Sequence, residues 1–478
     1  MSDIDIDLKK VRTIHIMGIC GTAMGAFAGM LRNLGYEVTG SDTNAYPPMS
    51  TQLLAQGITI KEGYRAENLE PPPDLVVVGN VISRSNPEAQ ALLASGLPYI
   101  SMPQALGHFF LEKCTSLVVA GTHGKTTTSS LLAWVLTHNG RDPSFLIGGQ
   151  LQNFGRNAYL GHGPHFVVEG DEYDTAFFDK GPKFLHYRPK HAIITSVEFD
   201  HADIYRDLAH VQESFRKFIQ LVPEDGTLIC CTDYPALVEL LGEARCPVLR
   251  YGLKSDAPWS GRIVSVSETG MDVAIDLLGQ ETLTLHTSLV GEHNLLNLIA
   301  VVALCRRLGL SDAEIQAGVA TFQGIKRRQE VIAEIGGITL LDDFAHHPTA
   351  VAVTLASVRR RFGPRRIWAV FEPRSNTSRR NVFQAQYPLA FADADEVLIA
   401  GVQNVAMIAE SERMDSHRLA EDIAAAGKSA RFCPDVEAII DLLEGEATPG
   451  DVILLMSNGA FGGIYQKLPA RLRAKFTT

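Results

Sequence analysis

One stretch limits the architecture more than any other: Leu117-Val-Val-Ala-Gly-Thr-His-Gly-Lys-Thr-Thr-Thr128. An apolar run with two valines enters Gly121, Gly124 and Lys125, then hydroxyl residues, then the apolar Ser130-Leu-Leu-Ala-Trp-Val-Leu136. Strand, glycine turn and helix start in this order predict an α/β unit. Its turn aims backbone N–H groups at one anion, and the helix dipole adds positive potential there. Lys125 is then placed to reach the β- and γ-phosphates of a nucleotide, and the Thr126 hydroxyl to ligate Mg²⁺. Gly121, Thr122, His123, Gly124, Lys125, Thr126 and Thr127 make up this loop. It is a shortened phosphate loop, because Val119 stands where the first glycine belongs. The competing reading is an ordinary αβ turn with Lys125 in solvent. The order of strand, turn and helix favours the phosphate loop.

A chain of 478 residues exceeds one core, so two to four domains are expected. A net charge of −11 and the lack of any Lys/Arg run argue against a nucleic-acid partner. Seven cysteines, with no C-x-x-C pair and with Cys230 and Cys231 adjacent, suggest reduced thiols in a cytoplasm. The sparsely charged stretch from Arg12 to Arg32 resembles a signal peptide. However, Asp3, Asp5 and Asp7 precede it and four glycines interrupt it, which argues against secretion. Ala89 to Leu111 is broken by Pro98, Pro103, Gln104 and His108 and does not read as a membrane insertion. Nothing in the chain fixes an oligomeric state.

Residues 1–113 read as a Rossmann-like unit. A strand at Thr13–Met17 meets Gly18-x-x-Gly21-x-x-x-Gly25 and a helix, a second strand ends at Asp42, and Asp74–Gly79 is a buried strand. Gly18, Cys20 and Gly21 open a helix N-terminus where a diphosphate can sit. Asp42, 24 residues after Gly18, stands where a ribose-binding acid belongs. A nicotinamide site, a nucleotide-diphosphate site without nicotinamide chemistry, and glycines that serve packing alone all remain open. The altered glycine spacing favours the second. Asn80 and Ser83 follow the buried strand at its carboxyl edge, where ligands bind.

Residues 114–325 form the phosphate-loop unit. Glu169 and His201 each follow a strand and lie in acidic surroundings, Glu169-Gly-Asp-Glu-Tyr-Asp174 and Glu198-Phe-Asp-His-Ala-Asp203. With Thr126 they are candidate Mg²⁺ ligands. The bland alternatives are a loop acid and a satisfied helix-start histidine. Ile263 to Val290 predicts a small β-ribbon. Asn294 and Asn297 lie one turn apart, able to read an adenine edge or to cap a helix. Residues 326–478, from Arg327 and Arg328 onward, repeat strand-then-loop segments and predict a third, Rossmann-like α/β domain.

Taken in order, Gly121–Thr127, Glu169, Glu198-Phe-Asp-His201, Gly291-Glu-His-Asn294-Leu-Leu-Asn297, Arg328 and Asp343 resemble the signature of the Mur ligases. The resemblance implies an ATP-dependent, amide-forming enzyme with domains for the UDP-substrate, for ATP and for the incoming substrate. It implies that Lys125 stabilises the γ-phosphoryl charge, that Thr126 and Glu169 hold one Mg²⁺, and that His201 holds a second. It further implies that Asn294 and Asn297 bind adenine while Arg328 and Asp343 hold the nucleotide from the third domain. Gly18-x-x-Gly21 and Asp343-Phe-Ala-His-His-Pro348 look like the branch that takes UDP-N-acetylmuramate itself. The acceptor is then L-alanine or the recovered murein tripeptide, L-alanyl-γ-D-glutamyl-meso-diaminopimelate. Gly40–Thr51, Asp174–Lys180, Glu372–Thr377 and Met456–Gly463 look like the tripeptide enzyme, and the alanine-adding relative would carry a Pro-His-Arg type motif near Glu372-Pro-Arg374. Arg374, Asn376 and Asn458 can supply partners for a multiply charged peptide. His346 and His347 either meet the incoming amine or pack and cap. A nicotinamide dehydrogenase leaves the lysine loop unexplained, and a P-loop kinase leaves two α/β domains without work.

Overall fold

Leu75–Val78, Ile367–Phe371 and Val452–Met456 are apolar and buried at every position, the pattern of strands covered on both faces. Each lies inside a largely parallel sheet of a computed structural model that describes residues 7–43, 45, 49–253, 256–279, 281–406 and 408–476. Asp3 and Asp5, and Asn44, Tyr46, Pro47 and Pro48 of the 40–51 segment, lie outside these residues.

The first sheet is wholly parallel, ordered Thr59–Glu62, Glu37–Asp42, Thr13–Met17, Leu75–Val78, Tyr99–Ser101. The third has six strands: Glu330–Ile335, Ile338–Asp343, Val452–Met456, Ile367–Phe371, Glu396–Ala400 and Ser429–Cys433. Only its first pairing is antiparallel. Between them lies a ten-stranded sheet whose centre is Thr227–Cys231, His191–Ile194, Thr115–Ala120 and His165–Gly170 in parallel. The expected β-ribbon is three antiparallel strands, Trp259–Ser267, Gly270–Leu277 and Glu281–Thr287. It is continuous with the central sheet rather than separate, through one parallel pairing of Trp259 with Tyr251.

The two seams between sheets differ in chemistry. The first unit joins the central one through packed rings: Phe27 meets Phe110 at 5.9 Å, and Phe110 meets Phe166 at 6.1 Å. The third unit meets the central one mainly through polar pairs, Arg360 with Glu292 at 2.5 Å, Asn376 with Asp203 at 2.8 Å and Arg361 with the Glu268 carbonyl at 2.8 Å, together with one ring contact, Phe199 against Phe383 at 6.2 Å.

Under the first sheet's glycine turn lies a buried polar knot. Glu88 is fully buried and takes His15 Nε2 at 2.9 Å, Ser41 Oγ at 2.8 Å and Asn68 Nδ2 at 2.7 Å. Burial works against the Glu88 charge, and these donors, His15 first, outweigh it and hold the carboxyl below its usual range. Glu88→Ala would strand three buried donors. It is expected to cost about 3 kcal/mol of stability and to lower the first-domain transition in scanning calorimetry. An unchanged melting profile would show that the knot contributes nothing.

Candidate active site

Parallel strands carry their carboxyl ends to one edge, and the phosphate loop leaves the strand Thr115–Ala120 there. Glu169 pairs in register with Val119, and Ile194 on the opposite neighbour pairs with Ala120. Loop residues 121–124, Glu169 and the 195–201 segment therefore converge. The turn is glycine-only at two points. Gly121 has φ +132°, and a Cβ there would sit 2.2 Å from Thr195 Oγ1. Gly124 has φ +80°, and its Cβ would sit 2.5 Å from Asn297 Oδ1. Asn297 is thus pressed against the loop, and its amide donates to Asn294 Oδ1 at 3.3 Å while Asn294 donates to the Val290 carbonyl at 2.9 Å.

Lys125 begins the helix Lys125–His138, and its ammonium donates to the Gly121 carbonyl at 2.6 Å and to Glu172 at 2.8 Å. Glu172, 3% exposed, is a residue that the sequence did not single out; within a run of four acids no spacing ranks it above its neighbours. Burial opposes its charge, but the Lys125 ammonium and His201 prevail and hold the carboxyl at about 2. Thr126 Oγ1 donates to Glu169 Oε1 at 2.7 Å, while Glu169 Oε2 accepts the Gly148 N–H at 2.7 Å. Burial and the charge of Asp171 raise the Glu169 carboxyl. His201 sits at φ +52°, its N–H tied to Asp200 at 2.7 Å and its Nε2 3.4 Å from Glu172 Oε1. That Oε1 atom is buried and makes no hydrogen bond. The Thr126 hydroxyl, the Glu169 carboxylate and the His201 imidazole gather around the phosphate loop, a donor set able to hold Mg²⁺ beside a nucleotide's phosphates.

From the third sheet, Arg328 reaches Thr126 Oγ1 at 3.4 Å and lies 4.7 Å above the Phe344 ring. Asp343 faces the cleft, and each of its oxygens accepts one backbone N–H, from Gln329 and Ala345 at 2.8 and 2.7 Å. It braces the turn that presents Arg328. His347 caps the helix Pro348–Phe362: its Nδ1 accepts the Thr349 N–H at 3.2 Å, and its Nε2 therefore donates to the Phe199 carbonyl at 3.2 Å. His123, Glu198 and His347 have ligand atoms within 4.8 Å of one another. Because both His347 nitrogens are committed, the trio is an interdomain clasp rather than a cation site. His346 differs. A carbonyl only accepts, so its Nδ1–H must donate to the Phe344 carbonyl at 2.9 Å, which leaves the Nε2 lone pair. Burial holds this ring neutral.

These groups line one cleft of about 1090 Å³. The phosphate loop, Glu169, His201, Asn294, Asn297, Arg328, Asp343, His346, His347 and Asn458 all face it, as do Thr22 and Met102 of the first unit. Arg374 and Asn376 do not. Arg374 lies across Gly459 with Glu372 at 3.8 Å, and Asn376 is paired to Asp203 at 2.8 Å across the polar seam. The first unit's residues gather apart from the cleft at their own sheet edge. The Ser41 carbonyl takes the Gly18 N–H at 2.9 Å, Asp42 takes the Cys20 N–H at 2.9 Å, and Gly18 packs against Val81 beside the exposed Asn80 and Ser83. Asp42 thus braces the turn through one of its oxygens.

Three family profiles match the chain: "Mur ligase family, catalytic domain" over 13–113, "Mur ligase middle domain" over 119–305, and "Mur ligase, glutamate ligase domain" over 327–459. The chain belongs to the Mur ligase family. It is 42% identical to the UDP-N-acetylmuramate–L-alanyl-γ-D-glutamyl-meso-2,6-diaminoheptandioate ligase of Escherichia coli, covering 95% of this chain and 97% of the relative. It is 34% identical to the UDP-N-acetylmuramate–L-alanine ligase of Acetivibrio thermocellus, covering 95% of each. A crystal structure of a murein peptide ligase from Psychrobacter arcticus superposes with a TM-score of 0.72 at 37% identity, covering 97% and 99% of the two chains. As a Mur ligase the chain is an ATP-dependent, amide-bond-forming enzyme built of three α/β domains. Among the described residues no helix is long and apolar enough to cross a membrane.

The clasp has a pH signature. Burial first, then the neighbouring His123, push His347 down to about 4 from an ordinary 6.5. Between those values the unfolded chain binds the extra proton, so the contribution to stability is complete above 6.5 and is lost as pH falls toward 4. The third-domain melting transition is expected to drop from pH 7 to pH 5. His347→Asn, which can still cap, should flatten that slope; an unaltered slope would remove His347 from the account.

Proposed function

We propose that this Mur ligase joins the lactyl carboxylate of UDP-N-acetylmuramate to the amine of L-alanyl-γ-D-glutamyl-meso-diaminopimelate, using ATP and Mg²⁺, in cytoplasmic peptidoglycan recycling. The observation that carries this reading is the shared cleft: the phosphate loop, the Arg328–His346 turn and first-unit residues line one space. A reaction of three substrates needs such a space. The higher identity to the tripeptide ligase than to the L-alanine ligase supports the acceptor.

A carboxylate is a poor electrophile, so it attacks the γ-phosphate, forms an acyl phosphate and releases ADP. The amine then displaces phosphate. Positioning and charge stabilisation supply most of the first step. Thr126 and Glu169 would hold one metal ion and His201 a second, and the ions, when bound, neutralise phosphate charge. Lys125 turns from Glu172 to the γ-phosphoryl oxygens, and Arg328 approaches from the facing domain. Asn294 and Asn297 form the adenine side of the cleft. Gly18, Cys20, Gly21, Asn80 and Ser83 present the first unit's edge to the UDP portion, with Asp42 bracing it. His346, its ring neutral and its Nδ1–H committed to the Phe344 carbonyl, lines the cleft and is the base that takes the amine's proton through Nε2. Asn458 faces the acceptor, while Arg374 supports it from behind Gly459.

Two measurements test this. ADP release with ATP and UDP-N-acetylmuramate should be fast with the tripeptide and slow with L-alanine; the reverse ranking would give the chain to the L-alanine reaction. Lys125→Ala should cut turnover by about 10²-fold or more while calorimetric affinity for UDP-N-acetylmuramate stays nearly intact. Loss of both would show that the two substrates do not sit on separate domains.

A further inference from the structure

Glu172 touches two elements of the site at once and belongs to neither the loop nor the candidate ligand set. Its Oε2 holds Lys125 at 2.8 Å. Its Oε1, buried and without a hydrogen bond, has His201 Nε2 at 3.4 Å, an ion-pair separation rather than a closed bond. Its backbone carbonyl is fixed by the Tyr205 hydroxyl, so the side chain starts from a held point. A buried carboxylate oxygen left open costs free energy until a donor closes on it. His201 Nε2 lies within ion-pair range of that oxygen. A metal-binding histidine needs its second ring nitrogen anchored, commonly on a carboxylate, to fix both tautomer and ring direction.

We propose that Glu172 is the positioning residue of the phosphate site: one oxygen holds the Lys125 ammonium, and the other takes the Nε2–H of His201, so that Nδ1 is the atom offered to the cation. This rests on the reading of His201 as a metal ligand. The two jobs are linked through one carboxylate. As Lys125 swings toward a triphosphate, Oε2 is released, and Glu172 is free to close on His201, so arrival of the nucleotide tightens the metal side of the site.

The test is Mn²⁺ binding, followed by electron paramagnetic resonance on the full chain with a non-hydrolysable ATP analogue, in wild type, Glu172→Gln, His201→Ala and the double variant. Glu172→Gln should weaken Mn²⁺ binding about tenfold or more, and the same change should have no further effect once His201 is alanine. Equal losses in both backgrounds would overturn the coupling while leaving His201 as a ligand. Unchanged Mn²⁺ affinity in His201→Ala would instead overturn the underlying metal assignment. Glu172→Asp guards against a folding defect: one methylene shorter, it keeps a charge beside Lys125 but withdraws it from His201. It should reproduce the weakened Mn²⁺ binding with its melting temperature preserved, and wild-type Mn²⁺ affinity in this folded variant would sink the proposal.

Discussion

A single ammonium holds the centre of this molecule in place. Lys125 is 12% exposed, fixed to Glu172, and lies in the fields of Asp171 and Glu169 as well. Little solvent screens these charges, so their interactions are stronger than at a surface. The acids outnumber the cation, and Arg328 approaches only from the facing domain. A bare triphosphate would add negative charge to a region already rich in it. The local electrostatics therefore favour a nucleotide that brings divalent cations, and they explain why the lysine rests on its own carboxylate rather than in open space. The helix start and the glycine turn give the anion a place; the balance of charges decides in what company it arrives.

The seams of the molecule follow from what each domain must do. Phe27, Phe110 and Phe166 bury a run of rings between the first and central domains, and a Cβ at Gly107 would lie 2.7 Å from the His186 carbonyl. Apolar contacts this close do not slide without opening cavities. The third domain meets the central one mainly through polar groups, the Arg360–Glu292 pair, Asn376 with Asp203, and the His123–Glu198–His347 clasp, with Phe199 against Phe383 as a single ring contact. Polar seams of this kind permit relative domain motion. His123 belongs to the phosphate loop itself and donates to Glu198 at 2.7 Å, while Thr349 reaches the other oxygen of Glu198 at 3.4 Å. Any change in the loop is thus felt at the first turn of a third-domain helix.

Much of this was legible in the sequence, and the remainder has a physical reason for being hidden. The strands hold runs of apolar residues at 75–78, 117–120, 166–168 and 452–456, and the glycine–lysine turn has little meaning outside a strand–helix junction. Local pattern was enough for those. It did not separate a group that touches a ligand from one that supports it. Asp343 and Asp42 stand where ligand-binding acids are expected, and in the fold they also accept backbone N–H groups and brace turns. His346 and His347 are neighbours of one type whose roles diverge because the backbone offers one a carbonyl and the other an amide besides. Glu172 was invisible for the opposite reason: its importance comes from partners 47 and 29 positions away in the chain.

The same distinction bears on the acceptor. The segments 372–377 and 456–463 enter the sequence comparison as two separate signs of a tripeptide enzyme, but the structure makes them one. The Ser457 hydroxyl donates to the buried Glu372, and the Gly459 N–H returns to Ser457 Oγ at 2.9 Å. The Arg374 side chain passes so close over Gly459 that a Cβ there would lie 2.0 Å from its Nε. Arg327 binds the Ser457 and Gly459 carbonyls at 2.6 and 2.9 Å from the far side. A glycine is required so that the guanidinium can cross, a serine so that the glutamate is satisfied, and only then does Asn458 face the cleft with an open Oδ1. Replacing Glu372 would remove the acceptor for Ser457 and loosen every other member. The two segments are therefore one interlocked loop pair, and its residues can change only together.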